Sequence, residues 1–68
     1  MIDLATPART YLEGNLVKHR TNVQLILRGS VSVAEHPDIM ETLEGELAKV
    51  SHYMDLISAL DECEYHLD

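Results

Sequence analysis

The side chains best suited to chemistry in this sequence are Tyr11, Asn15, Lys18 and Asn22, spaced by four, three and four residues. On a helix that spacing lines them up in one stripe, which Leu25 extends. A tyrosine ring offers a face on which a base can stack. A lysine offers a point charge for phosphate, and each asparagine offers both a donor and an acceptor. The set suits a nucleotide-sized anion held between subunits, and it equally suits a wet subunit interface or an ordinary polar flank. Arg9 and Arg20 fall on the opposite flank of the same helix, where they are expected to reach a neighbouring chain.

Enzyme chemistry finds little support. The chain has no glycine-rich phosphate loop, no Gly-x-Ser-x-Gly and no His-Glu-x-x-His. Ser30, Ser32 and His36 lie close in sequence, but nothing nearby supplies both the base and the orienting group that a nucleophile needs. Cys63 and Glu62 each share a helix face with His66, yet two ligands do not make a metal site. The reading is a non-enzymatic protein without a metal or cofactor.

The net charge of -7 is unevenly spread. Residues 1–29 set Arg9, Lys18, Arg20 and Arg28 against Asp3 and Glu13, while residues 30–68 set Lys49 alone against ten acids. Overall acidity excludes nonspecific binding to duplex nucleic acid, which needs a basic footprint. No apolar run approaches the roughly 20 residues of a membrane span. The N-terminus lacks a basic region followed by an apolar run, so no signal peptide is expected. The single cysteine, Cys63, rules out an intrachain disulfide and fits a cytoplasmic location.

Sixty-eight residues make one domain at most. Thr6-Pro7 is a helix start signal, with Thr6 as the cap and Pro7 at the first helical position. The first helix is expected over 7–28, ended by Gly29 in a left-handed conformation. Ala8, Leu12, Leu16, His19, Val23 and Ile26 share one face of it. His19 inside that face reads as a buried histidine with a hydrogen-bond partner, whose burial would make assembly pH-sensitive. Residues 29–36 form the connection, with Val31 and Val33 in a short extended piece. His36-Pro37-Asp38 then opens a second helix, expected over 37–64, with Asp38 and Glu41 at its positive end.

Along the second helix Met40, Leu43, Leu47, Val50, Met54 and Ile57 recur as a heptad seam. The expected fold is all-α: an antiparallel two-helix hairpin that assembles into a homo-oligomeric bundle. Ile26 should face Met40, Val23 face Leu43, Leu16 face Val50, and Leu12 face Met54. Ile39, Tyr53, Leu60 and Leu27 widen the apolar stripe beyond what one helix covers, which calls for further copies of the chain. Leu56, Cys63 and Leu67 form a second patch near the C-terminus. Gly14 and Gly45 lie mid-helix away from the seam, either as tolerated drift or as room for another backbone or a ligand.

A short lead, a proline-started helix carrying Tyr11-Leu12-Glu13, and His36-Pro37-Asp38 opening a heptad helix together resemble small bacteriophage proteins. In plan the chain is most similar to the helical anti-CBASS sponges, oligomeric hairpins that sequester cyclic nucleotide signals of bacterial immunity without catalysis. The resemblance implies an anti-defence role in the cytoplasm of a host cell, with Tyr11 and Lys18 as ligand-binding groups. The acidic second helix departs from that pattern and requires the site to be screened from its carboxylates. Three functions follow as expectations. One is sequestration of a small anionic ligand such as a cyclic nucleotide, with Tyr11 stacking, Lys18 and a neighbour's arginine holding phosphate, and Asn15 and Asn22 reading polar edges. Another is an acidic inhibitor or adaptor, like the acidic anti-CRISPR proteins, docking on a basic host surface. Charge reversal on the second helix would slow association in that case. The third is a purely structural assembly helix pair.

Overall fold

A carboxylate that waits just ahead of each helix fixes where it begins. Asp3 accepts from the Ala5 amide at 2.9 Å and from the Thr6 hydroxyl at 3.1 Å. This satisfies one of the amides that the first turn leaves without a carbonyl. The helix, α1, spans Ala5–Leu27. Thr6 therefore lies inside it, and Asp3 does the capping expected of Thr6. Pro7 sits in the first turn, where a missing N–H costs nothing. At the other end the Gly29 amide donates to the Ile26 carbonyl at 3.0 Å, with Gly29 at φ 71°. That left-handed conformation favours glycine and ends the helix as its position anticipates.

The structure, a computed structural model, describes residues 2–29 and 38–67. The expected connection at residues 30–36, with Val31 and Val33, and the Pro37 start signal lie outside the described residues. The second helix, α2, spans Ile39–Tyr65. Asp38 caps it by accepting from the Glu41 amide at 3.0 Å. That hydrogen bond, with the contact to the Glu41 side chain, holds the Asp38 carboxyl below its ordinary value. No strand occurs among the described residues.

The two helices pack side by side and run antiparallel, in a rod of 53 × 16 × 14 Å. Arg9 near the start of α1 pairs with Asp61 and Glu64 near the end of α2. Halfway along, His19 meets Glu46. On α1 the inward face carries Leu12, Leu16, His19, Val23 and Ile26, as expected, and Asn15 and Asn22 join it half-buried. The enclosed core is small: Val23 is its one buried apolar residue and His19 its one buried polar residue among the described residues.

The face that α2 turns inward differs from the expected seam. Leu43, Val50 and Ile57 are half-buried against α1, as anticipated. Met40, Leu47 and Met54 are not: they stand 71%, 48% and 52% exposed. Their inward places are taken by Ile39, Glu46 and Tyr53, each one residue earlier, and Leu60 continues that row. The expected pairings of Ile26 with Met40 and of Leu12 with Met54 are therefore displaced. The cause is polar. The Glu46 carboxylate reaches His19, and the Tyr53 ring stacks on the same imidazole, so residues 46 and 53 are drawn to the interface and 47 and 54 roll out of it.

At the far end of the hairpin, Leu4, with Ala5 and Ala8 of α1, meets Leu60, Cys63 and Leu67 around an open apolar hollow of about 290 Å³. Two members of the C-terminal patch read from the sequence, Cys63 and Leu67, line it. Leu56 stays on the surface, 37% exposed.

Candidate functional site

The candidate stripe on α1 is divided by the way that helix packs. Tyr11 is 66% exposed, and Lys18 is exposed one heptad further on. They flank the interhelical face, with Leu4 and Leu25 continuing the same row. Asn15 and Asn22 sit a few tens of degrees round the helix and turn toward α2. The Asn15 amide donates to the Tyr11 carbonyl of its own helix at 3.0 Å. Asn22, half-buried on the same face, helps to hold the Glu46 carboxyl below its ordinary value. Both asparagines thus turn into the protomer, while Tyr11 and Lys18 project outward.

The arginines divide in the same way. Arg9 is clasped between Asp61 and Glu64, and these two acceptors raise its pKa further. Arg20 is exposed on the flank opposite Tyr11 and Lys18, as the helical spacing implies. Neither Lys18 nor Arg20 makes an ion pair among the described residues. One protomer therefore presents an aromatic ring and an ammonium on one edge and a guanidinium on the other. A ligand that used all three would have to lie between copies.

A second constellation occupies the middle of the interface, and the sequence reading held only half of it. His19 Nδ1 lies 2.7 Å from Glu46 Oε2, with the histidine 5% exposed. The contact is an ion pair when the imidazole is protonated and a hydrogen bond from Nδ1–H when it is neutral. Tyr53 stacks on the imidazole at a centroid distance of 5.8 Å and an interplanar angle of 8°. Burial alone would raise the Glu46 carboxyl. Hydrogen bonds from His19 and Asn22, with the nearby charges of His19 and Lys49, outweigh it and hold the carboxyl below its ordinary value. The buried polar atoms among the described residues all have partners. The partner of His19 was within reach of the sequence: the expected pairing sets His19 opposite residue 47, beside Glu46.

The cluster brings a carboxylate and an imidazole into contact at the centre of the helix pair. Its chemistry is that of a polar clasp which fixes how the two helices face each other. No group of three or more candidate metal ligands occurs among the described residues. No helix among them is long and apolar enough to cross a membrane. No family model, curated protein or solved structure matches the chain.

Proposed function

We propose that this chain is a non-enzymatic binding protein that works as a homo-oligomer and sequesters a small anionic ligand, a cyclic nucleotide or a related immune signal. The observation that carries the reading is the pairing of Tyr11 and Lys18 on one exposed edge of a hairpin whose remaining surface is largely acidic. On a chain of charge -7, an ammonium with no ion pair among the described residues, on the same edge as an exposed ring, is a place where an anion with a flat base meets less repulsion. Three acids of α2 are already engaged with α1. Asp61 and Glu64 hold Arg9, and Glu46 holds His19 and Asn22, which screens the α1 edge from part of the charge of α2.

In this reading Tyr11 stacks on a base, Lys18 holds a phosphate, and Arg20 of an adjoining copy approaches the same anion from its own opposite flank. Asn22, anchored through Glu46, remains near enough to the edge to present its carbonyl. Tight binding without turnover would remove the signal stoichiometrically and leave it intact, as the resemblance to anti-defence sponges implies. The test is native mass spectrometry of the protein with a panel of cyclic di- and trinucleotides. The expected result is uptake at a fixed ratio of ligand to protomer, and release of unaltered nucleotide on denaturation. Tyr11→Ala should weaken binding about 5- to 150-fold, since base stacking on an aromatic side chain contributes about 1–3 kcal/mol, and Lys18→Ala should weaken it through the lost phosphate contact. Uptake that survives both substitutions would place the site elsewhere. A discrete oligomer that ignores the whole panel would reject ligand sequestration.

A further inference from the structure

The row that rolls out of the hairpin interface has a symmetry of its own. Met40, Leu47 and Met54 are spaced by seven and seven, with the same residue type at both ends. Such a row matches itself when one copy is reversed end to end. We propose that a second copy of this chain seats on this row by antiparallel pairing of the two α2 helices about a two-fold axis at Leu47. Met40 of each copy then meets Met54 of the other, and Leu47 meets Leu47. The proposal rests on the self-association stated above only in taking the chain as an oligomer; this α2–α2 contact is separate from the α1 contact that would bring Arg20 of a copy to Lys18, and either can fail without the other.

Four observations point the same way. The row is the unused edge of a heptad seam: α1 half-buries Leu43, Val50 and Ile57 and leaves Met40, Leu47 and Met54 open beside them. An apolar row at heptad spacing is the pattern that another helix fills. The protein also exposes too much surface for its size. A compact monomer of 7.7 kDa is expected to expose about 4,300 Å², whereas this chain exposes 5347 Å². The excess, on the order of 1,000 Å², belongs to the elongated rod as a whole rather than to this row alone.

Closure and charge select the orientation. An isologous contact about a two-fold axis closes on itself, whereas a head-to-tail contact invites open filaments. Parallel pairing of α2 with its copy would set Glu41, Glu44 and Asp55 each beside its own equivalent. Reversal about Leu47 instead places Glu41 level with Tyr53, Glu44 with Val50, and Asp55 with Ile39, so acids meet uncharged positions. On a helix with seven acids and one lysine between Ile39 and Tyr65, that removes most of the like-charge repulsion.

The test is site-directed cross-linking in a Cys63→Ser background, because Cys63 is exposed and would react on its own. Leu47→Cys, Met40→Cys and Met54→Cys are purified separately and treated with a short bismaleimide. All three positions are exposed within the protomer, and far-UV circular dichroism checks that the helices persist. Leu47→Cys should form covalent dimer alone. Met40→Cys and Met54→Cys should each stay at least tenfold lower alone and cross-link when mixed, because fourteen helical residues put roughly 21 Å between like positions of the two copies. Efficient cross-linking of Met40→Cys with itself would overturn the antiparallel register. An oligomer in sedimentation that yields no cross-link at Leu47 would overturn the surface and leave self-association standing. A monomer at every concentration would overturn both.

Discussion

Glu46 shows how one side chain decides which way a helix faces. A hydrogen bond to a charged group contributes about 1.5–3 kcal/mol, comparable to burying one leucine or methionine side chain. Ile39 and Tyr53 take the inward places of Met40 and Met54, so the polar contacts, with Tyr53 stacked on the same imidazole, have only the burial of Leu47 against α1 to offset. The contact also makes stability pH-dependent. The Glu46 carboxyl is held below its ordinary 4.5 in the folded chain. Its contribution is therefore fully present above about pH 4.5, and it is lost as the pH falls through the lowered folded value. Asp38, held down by the Glu41 amide, acts in the same direction. Thermal melting of wild type and Glu46→Gln between pH 7 and pH 3 checks this. The variant is expected to melt lower at neutral pH and to lose less stability on acidification below 4.5. Parallel curves would mean that other carboxyls carry the acid sensitivity.

At the scale of the element, the helices carry two evident departures from their best sequence. Gly14 and Gly45 sit in helix interiors, where alanine is better by about 1 kcal/mol. A methyl group added at either would meet nothing within 4 Å. Gly14→Ala and Gly45→Ala are each expected to raise the melting temperature by about 4–8 °C. Calorimetry and sedimentation on the same samples read two quantities. A gain in stability with assembly unchanged marks the glycines as drift. A stabilised chain that assembles less well marks the position as a close approach between copies. The existence of both helices, their antiparallel packing and the stop at Gly29 were legible in the sequence, because they depend on local signals and on periodicity. The cap at Asp3 was missed since Thr6 also fits the consensus, and three-residue spacing does not say which oxygen arrives first. The inward face of α2 was missed for a deeper reason. Hydrophobic periodicity ranks Leu47 and Met54 above Glu46 and Tyr53, and only the knowledge that His19 lies opposite reverses that ranking. The same packing turned Asn15 and Asn22 inward and divided the candidate ligand stripe.

The whole molecule is a rod 53 Å long whose enclosed core amounts to Val23 and His19 among the described residues. Chains of this size hold little stability in a single core and generally need a staple or a partner. No intrachain disulfide is possible with Cys63 alone, so the self-association proposed above is the staple to test. If folding and assembly are coupled, the melting temperature must depend on protein concentration, since each tenfold increase adds about 1.4 kcal/mol per dimer formed. Between 5 and 500 μM the melting temperature is then expected to rise by about 10 °C or more. Charge supplies a second handle. Each copy brings a charge of -7, so assembly gathers acids that repel across distances comparable to the Debye length. Added salt should therefore strengthen assembly and raise the melting temperature most at low protein concentration, where association limits stability. This distinguishes an apolar seam from an interface built on ion pairs, which salt would weaken. A melting temperature independent of both concentration and salt would mean that the hairpin folds alone, and that the row of Met40, Leu47 and Met54 awaits a partner other than itself.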